Sequence, residues 1–134
     1  EGLAQAKTTI SDAFGASHIL SHRQQLVNAV SNGKPSSGAW YDSTVELMTE
    51  QNVYGGKIFG AGSDSSTILY LYTIDKSQFP LFAHDPSMIS NRQWFWLRDV
   101  VSATRFAYVY SGGYAGLNAA SDDSGVRPAF AIRA

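Results

Sequence analysis

QWFWLRDVVSATRFAYVYSGG, residues 93–113, holds two runs of β-branched and aromatic residues separated by a short interval of small residues. Residues of these types are enriched in strands, so QWFWLRDVV (93–101) and RFAYVYSGG (105–113) predict two strands. A third candidate strand, VRPAFAI (126–132), follows near the end of the chain. An earlier run, STILYLYTI (66–74), predicts another strand that is buried on at least one face.

Helical spacing is confined to the first half of the chain. The stretch from Ala16, ASHILSHRQQLVNAVSNGKP, places apolar residues near helical spacing. Gly33 followed by Pro35 is a typical stop signal, so we predict a first helix from Ala16 to Gly33. The preceding stretch, AKTTISDAFG (6–15), mixes β-branched residues with turn formers and indicates an edge strand or an ordered N-terminal arm.

A second helix is predicted within DSTVELMTEQNVYGG (42–56). Ser43 with Glu46 three residues later has the spacing of a capping box, and the paired glycines end the helix. Two helices followed by a run of strands indicate the α+β class rather than an alternating parallel-sheet fold. We therefore expect two helices packed on a twisted antiparallel sheet.

The composition is that of one neutral globular domain spanning residues 1–134. The net charge is −1 and the basic residues are scattered, which gives no electrostatic footprint for nucleic acid or an anionic membrane. No apolar run is long enough to span a bilayer, so we expect neither a nucleic-acid partner nor membrane insertion. The absence of cysteine excludes disulfides, thiolate chemistry and Cys-ligated zinc. Because the chain begins at Glu1, we expect a processed or excised piece of a longer protein.

Motifs for catalysis or metal binding are weak. His18 and His22 have a spacing at which a helix can present two metal ligands, but the glutamate and the third ligand of the HExxH motif are missing, which favours ordinary polar residues. The His-Asp pair at 84–85 precedes a proline and is typical of a turn. Asp122 and Asp123 could coordinate a hard cation, although acidic turn residues are more often solvated. We expect a protein that is not an enzyme and has no cofactor and no metal.

The segment RFAYVYSGGYAGLNAASDDSG (105–125) combines tyrosines with small residues and a single positive charge. Tyrosine supplies a large, rigid contact, and Ser, Gly and Asp supply adaptable polar ones, as in antibody loops. Because residues i and i+2 share a face, Tyr108 and Tyr110 point the same way, and Ala107 and Val109 are left to face the core. The alternative is that the tyrosines are ordinary strand residues with one face in the core.

Bulky residues near this segment are predicted to lie in the core: Trp94, Trp96, Leu97 and Phe130. Trp96 has the floor of a binding site as an alternative. Arg98 and Asp99 are candidates for a buried structural pair. Arg127, which precedes Pro128, is expected to fix the entry to the last strand.

The motifs WFWLRD (94–99) and GVRPAF (125–130) together resemble the C-terminal half of C-type-lectin-like domains of bacterial and phage proteins, above all the variable proteins of diversity-generating retroelements. STVELMTEQNVYGG (43–56) is similar to the helix-and-turn segment that precedes this half. The resemblance covers residues 16–134 and implies a C-type-lectin-like fold. It also implies a variable segment at about 105–124, between the two motifs.

The resemblance divides this segment into fixed and variable positions. Those that match fixed positions are Phe106, Val109, Gly113, Ala115, Asn118, Ala120, Ser121 and Gly125. Those predicted to vary and to contact a ligand are Arg105, Tyr108, Tyr110, Ser111, Gly112, Tyr114, Gly116, Leu117, Ala119, Asp122 and Ser124. Diversification in this family alters adenines of asparagine codons, which cannot yield Lys, Glu, Gln, Met or Trp. Residues 105–125 contain none of these five types, whereas the whole chain has 18.

Two activities of this fold are disfavoured. Formylglycine-generating enzymes need cysteines, and calcium-dependent sugar binding uses EPN or QPD followed by WND, none of which occurs here. The resemblance implies instead a non-catalytic module that binds a protein or glycan on another cell or virion, from a phage tail tip or a microbial surface. The alternative is a structural or decoration domain of a phage particle or cell wall, whose tyrosine face packs against a neighbouring subunit. We expect one exposed patch of Arg105, Tyr108, Tyr110, Tyr114, Leu117 and Asp122, with Ser111 and Ser124 at its rim.

Overall fold

The structure, a computed structural model, describes residues 1–27, 30–31, 34–35, 38–56, 58–60 and 78–133. It is a mixed α and β protein with antiparallel sheets and few helices, which is compatible with the predicted α+β class. The helices are α1 (Gly2–Phe14), α2 (Glu50–Tyr54) and α3 (Pro80–His84), with 3₁₀ turns at Ala16–His18 and Pro86–Ile89. The strands are β1 (His22–Val27), β2 (Val30–Ser31), β3 (Lys34–Pro35), β4 (Gly38–Ser43), β5 (Val45–Leu47), β6 (Phe95–Ser102), β7 (Arg105–Val109), β8 (Ala115–Ala119) and β9 (Pro128–Phe130).

Helix α1 covers the residues for which we predicted an edge strand or arm, so that prediction is wrong. The partly buried residues of α1 recur at the spacing of one helix face: Leu3, Ala6, Lys7, Ile10 and Ser11. Thr8 and Thr9 donate their hydroxyl groups to carbonyls one turn earlier, which satisfies these hydroxyl groups within the helix. Residues 6–15 alone lack Leu3, which begins the series of partly buried positions, so the helical period is weak in that stretch.

The first predicted helix is also wrong, because strand β1 lies inside it. All six residues of β1 pair antiparallel with β4, and in the adjoining pair β2–β3 Ser31 lies opposite Lys34. An Asn-Gly sequence is a typical hairpin signal, and the pairing of β1 with β4 shows that the helical spacing of this stretch does not decide its structure. His18 and His22 consequently lie in a 3₁₀ turn and a strand rather than on one helix.

The second helix is shorter and begins later than predicted. Ser43 ends β4 and Glu46 lies in β5, where the Ser43 hydroxyl contacts the Glu46 carboxylate. The capping box is formed instead by Thr49 and Asn52: Asn52 N donates to Thr49 Oγ1 at 3.1 Å, and Thr49 N donates to Asn52 Oδ1 at 2.9 Å. Gly55, with φ 76°, ends α2 in the left-handed conformation, as predicted.

Two carboxylates hold the start of α2 in place. Glu50 N donates to Asp99 Oδ2 at 2.7 Å, which puts a negative charge beside the helix N-terminus. The side chain of Glu50 is itself buried, and its carboxylate accepts the backbone N–H groups of Ile58, Phe59 and Gly60 at 2.8–3.0 Å. Glu50 therefore joins α2 to the loop at 58–60.

Residues 78–90 contain α3 and the second 3₁₀ turn. Phe79 N donates to the Asn52 carbonyl at 2.8 Å, which connects this stretch to α2. His84 ends α3, and Asp85 Oδ1 accepts from Ser87 N at 3.1 Å, so the turn role predicted for 84–85 is confirmed only at Asp85. The strand predicted over 66–74 lies outside the described residues.

The N-terminal and C-terminal parts of the described chain pair with each other. Ile19 forms an antiparallel bridge with Ile132, and Leu20 N donates to the Ala131 carbonyl at 2.8 Å. Strand β9, which lies within the predicted strand at 126–132, pairs antiparallel with β5. This pairing places the GVRPAF motif (125–130) next to β5, the strand that precedes α2.

Strands β6, β7 and β8 form an antiparallel sheet in that order, and the first two are the strands predicted within residues 93–113. One face of the sheet covers the main core. The buried residues of this core are Met48, Val53, Phe82, Ile89, Phe95, Leu97, Ala107 and Val109. Ala107 and Val109 therefore face the core, as predicted.

Candidate functional site

The opposite face of the three-stranded sheet carries four aromatic rings in mutual contact, here called the aromatic face: Trp94, Trp96, Tyr108 and Tyr110. The ring of Tyr108 lies between the others, with centroid distances of 5.5 Å to Trp94, 6.0 Å to Trp96 and 4.8 Å to Tyr110. Trp94 and Tyr110 meet edge to face at 5.1 Å. Strand alternation accounts for this arrangement, because the intervening residues Phe95 and Val109 point into the core. Tilted and edge-to-face contacts are the arrangements that aromatic pairs prefer.

Tyr108 is only 3% exposed, although it lies outside the main core. Gly116 is directly opposite on β8, and a Cβ atom there would lie 2.8 Å from the Tyr108 ring. The missing side chain therefore makes room for the phenol, and the ring in turn covers a glycine that packs weakly in a strand. Burial raises the pKa of Tyr108 above its ordinary value, and a hydrogen bond with the Tyr110 phenol acts in the same direction.

The turn between β7 and β8 presents the most exposed aromatic side chain of the segment. Tyr114 is 75% exposed, against 41% for Tyr110. Two backbone hydrogen bonds of 2.8 Å close the turn, from Gly113 N to the Tyr110 carbonyl and from Tyr110 N to the Tyr114 carbonyl. Gly113 has φ 90°, a conformation that favours glycine.

Two side chains from other elements hold this turn in position. The Tyr54 hydroxyl donates to the Gly113 carbonyl at 3.0 Å, and the Ser90 hydroxyl donates to the Ser111 carbonyl at 2.8 Å. Burial, followed by the nearby charge of Glu50, raises the pKa of Tyr54 above its ordinary value. The contacts go to backbone carbonyls, so they do not depend on the side chains that the turn presents.

The two sequence motifs meet in a pair of backbone hydrogen bonds, here called the clamp. Gly125 N donates to the Trp94 carbonyl at 2.8 Å, and Trp96 N donates to the Gly125 carbonyl at 3.0 Å. A Cβ atom at Gly125 would lie 2.8 Å from the Trp94 carbonyl oxygen, so this close approach requires glycine. The clamp joins the beginning and the end of the interval that contains β6, β7 and β8.

Arg127 fixes the chain just after the clamp. Its Nη1 donates to the Ile89 carbonyl at 3.0 Å, and the guanidinium carbon lies 5.0 Å from the centroid of the Phe82 ring and 5.3 Å from that of Phe95. Arginine commonly stacks on aromatic rings in this way. The predicted role of Arg127 at the entry to the last strand is confirmed.

The predicted ligand residues are divided between the two faces of the hairpin. Cross-strand pairs share a face, and Tyr108 pairs with Gly116 while Arg105 pairs with Ala119. Leu117 pairs with core-facing Ala107, so Leu117 and Arg105 lie on the opposite side of the sheet from Tyr108. The prediction of one patch containing all of them is wrong.

Exposure also differs among the predicted ligand residues. Tyr108 was predicted to be exposed, and that prediction is wrong, because the neighbouring rings and Gly116 enclose it. Gly116 is buried as well. The exposed members are Arg105, Tyr110, Gly112, Tyr114 and Asp122, and the partly buried ones are Ser111, Leu117, Ala119 and Ser124.

Trp94 belongs to the aromatic face although we predicted it in the core. It is 42% exposed, and Trp96 is partly buried on the same face, which is the alternative given for Trp96. Leu97 is buried as predicted, and Phe130 is partly buried. Strand alternation accounts for the difference, because residues 96 and 97 cannot both face the core of a regular strand, and Trp94 shares the face of Trp96.

The four rings that define the aromatic face carry no charge. Arg105, Asp122 and Asp123 are exposed outside it. Across the described ranges of the chain, no group of three or more His, Cys, Asp or Glu residues could hold a metal ion. None of the helices in those ranges is long and apolar enough to cross a membrane. The face offers aromatic surface and phenol hydroxyl groups for contact with a partner.

Comparison with known proteins places the chain in one family. A search of curated proteins finds no significant match, and neither does a search of solved structures. A family described as a domain of unknown function, DUF6273, matches residues 42–134, a range that includes the aromatic face, the turn and the clamp. Because this match covers more than half of the chain, the protein belongs to the DUF6273 family.

Proposed function

We propose that this protein is a non-catalytic binding module with a C-type-lectin-like fold, in which the aromatic face and the adjoining turn contact a partner. The observation that carries the proposal is the group of exposed aromatic residues there: Trp94 at 42%, Tyr110 at 41% and Tyr114 at 75%. Tyr and Trp are the residues most often found as energetic anchors in interfaces. Clustered on one surface, they favour a binding site over chance exposure.

The clamp supports the proposal that the contact residues can be replaced by other residues while the backbone that carries them stays the same. It joins Trp94 and Trp96 to Gly125 through backbone atoms, and the turn is held through the carbonyls of Ser111 and Gly113. None of these bonds requires a particular side chain at the predicted variable positions, and the two glycines that they depend on, Gly113 and Gly125, are at predicted fixed positions. Binding residues are commonly carried by loops that a rigid scaffold positions.

The fold proposal rests on the contact between the two motifs that carry the resemblance. WFWLRD begins the three-stranded sheet, and GVRPAF returns to it through the clamp and through Arg127 over the Phe95 ring. The interval between the motifs consists largely of an antiparallel hairpin, in keeping with a C-type-lectin-like domain that displays a variable segment.

We propose a protein or glycan on another cell or virion as the partner, with the module at a phage tail tip or on a microbial surface. Tyrosine suits both kinds of partner, because its ring offers apolar area and its hydroxyl group offers a hydrogen bond. The absence of charge on the aromatic face favours an uncharged surface on the partner.

Sequencing the DNA that flanks the gene tests the variable-protein proposal. We expect a reverse transcriptase gene and a near-copy of the codons for residues 105–124, with asparagine codons at the predicted variable positions. Natural isolates should differ from one another at those positions and agree elsewhere. Isolates that are identical over 105–124, with no near-copy nearby, would contradict the proposal.

Binding measurements test the surface itself. The purified domain is screened on a glycan array and on a panel of intact microbial cells, and the dissociation constant of any partner is then measured for Tyr110→Ala, Tyr114→Ala and Leu81→Ala. Leu81 is a matched control, because it is apolar, 52% exposed and located in α3. The tyrosine variants should weaken binding by about 2 kcal/mol or about thirtyfold, and Leu81→Ala should not. Equal affinity for all variants would contradict the proposal, and a tyrosine-dependent self-association without a partner would favour the structural alternative.

A further inference from the structure

We propose that residue 116 sets the shape, and thereby the partner specificity, of the aromatic face by controlling the position of Tyr108. This inference rests on the proposed binding function and identifies the residue that regulates its surface. Gly116 is buried and so makes no contact with a partner itself. It is a positioning residue that acts through the phenol.

The geometry leaves Tyr108 no room beside a larger residue at 116. A Cβ atom there would lie 2.8 Å from Cε1, 2.9 Å from Cζ and 3.1 Å from Oη of Tyr108. Real Cβ atoms do not approach other atoms at under 3 Å, so either the strand or the ring must shift. Backbone pairing along all five residues of β8 holds the strand against β7, which leaves the ring as the part that moves.

The direction of that movement follows from the surroundings of the ring. Trp94, Trp96 and Tyr110 surround Tyr108 at centroid distances of 4.8–6.0 Å, and the main core lies on the other side of the sheet. Rotation toward solvent is therefore the open path. With glycine at 116, the rings form a closed surface; with a side chain at 116, the phenol protrudes and leaves a gap beside Trp94 and Trp96.

A single substitution at 116 thus changes the surface at several aromatic residues together. Glycine and non-glycine versions would present two different surface shapes on one scaffold. We expect them to select different partners, since specificity depends on shape as well as on new contacts.

Tyrosine nitration tests the coupling without a partner. The intact chain and the variants Gly116→Ser and Gly56→Ala are treated with tetranitromethane, and nitrated residues are located by mass spectrometry. Gly56 is the matched control, because a Cβ atom there has nothing within 4 Å. In the unaltered chain and in Gly56→Ala, Tyr114 should react and Tyr108 should stay unreactive. In Gly116→Ser, Tyr108 should react as readily as Tyr110; a folded Gly116→Ser variant in which Tyr108 stays unreactive would overturn the inference.

A double-mutant cycle covers the case in which Gly116→Ser does not fold. Gly116→Ala should lower the melting temperature of the unaltered chain but should leave the melting temperature of Tyr108→Ala unchanged or raise it, because the clash is then absent. An equal loss in both backgrounds would overturn the inference.

Partner binding separates this inference from the proposed function. With a partner from the binding screen, Gly116→Ser should lose affinity while Gly56→Ala keeps it. If nitration shows the movement of Tyr108 but no partner depends on Tyr110 or Tyr114, the proposed function fails while the coupling stands. If those tyrosines are needed for binding and Gly116→Ser binds as well as the unaltered chain, residue 116 does not determine specificity.

Discussion

Tyr108 combines two properties that sequence reasoning treats as alternatives. It points away from the main core, as the alternation with Ala107 and Val109 requires, and yet it is 3% exposed. Aromatic neighbours on the same face and a glycine on the next strand account for its burial. A side chain that faces away from the core is therefore not necessarily accessible to solvent, because large side chains on the same face can bury it.

The two tyrosines at 108 and 114 are expected to differ in their effect on stability. Tyr108→Ala removes a buried ring that contacts Trp94, Trp96 and Tyr110, and it should lower the free energy of unfolding by about 3 kcal/mol. Tyr114→Ala removes an exposed ring and should change it by less than about 0.5 kcal/mol. Urea denaturation of both variants checks this, and equal values would show that the aromatic face does not stabilise the fold.

At the scale of elements, the strands near the C-terminus were predictable and the N-terminal elements were not. β6 and β7 combine β-branched and aromatic residues with a core-facing alternation, so local preference and burial agree. Between Ala16 and Gly33 the two signals disagree, because helical spacing coexists with the Asn-Gly hairpin signal. The pairing of β1 with β4 favours a strand over a helix here. Strand β4 lies outside the stretch from Ala16 to Gly33, so the residue pattern of that stretch does not show the pairing.

Helix α2 depends on a buried carboxylate as much as on its own capping box. Three backbone N–H groups, those of Ile58, Phe59 and Gly60, donate to Glu50. An amide in place of the carboxylate offers one acceptor oxygen, and its NH₂ group would face donors. Glu50→Gln should therefore lower the free energy of unfolding by about 2 kcal/mol, the usual effect of leaving buried polar groups unsatisfied.

Chemical denaturation together with amide hydrogen exchange checks the Glu50 prediction. The amide protons of residues 58–60 should exchange faster in Glu50→Gln than in the unaltered chain. Asp12→Asn makes the same change from carboxylate to amide at an exposed residue and should alter neither measurement. Unchanged exchange at 58–60 would mean that other contacts hold this loop.

At the scale of the whole molecule, buried tyrosines link stability to alkaline pH. Burial raises the pKa of Tyr54, of Tyr108 and of Tyr41 above the ordinary value of 10.0. In the unfolded chain these phenols ionise near pH 10, whereas in the folded chain they stay protonated to higher pH. Their contribution to stability is therefore complete below about pH 10 and is lost as the pH rises through the folded-state values.

We accordingly expect the free energy of unfolding to fall as the pH rises above about 10. Tyr54→Phe and Tyr108→Phe should each make this fall less steep, because each removes one group with a raised pKa. Tyr54→Phe also loses the hydrogen bond to the Gly113 carbonyl, so the slope with pH is the quantity to compare. Tyr114→Phe is the exposed control, and a slope that is the same in all three variants would contradict the prediction.

The exposure of two tyrosines in the segment was predictable from its sequence, but the arrangement of the surface around them was not. The segment between the motifs was identified from residue types, and Tyr110 and Tyr114 are exposed within it. The division of Arg105 and Tyr108 between two faces depends on the pairing register of β7 with β8, and the burial of Tyr108 depends on Gly116. Both are properties of the assembled sheet, which no single stretch of residues contains.

The hairpin register has a consequence for how this segment can change over generations. Strand side chains alternate between the core and the aromatic face, so inserting or deleting one codon within β7 would send the residues beyond it to the wrong side of the sheet. Tyr108 and Tyr110 would then enter the core, and Ala107 and Val109 would face outward. Heritable change at this hairpin is therefore confined to exchanges of one residue for another at constant length. A process that rewrites bases while preserving the number of codons would satisfy that constraint.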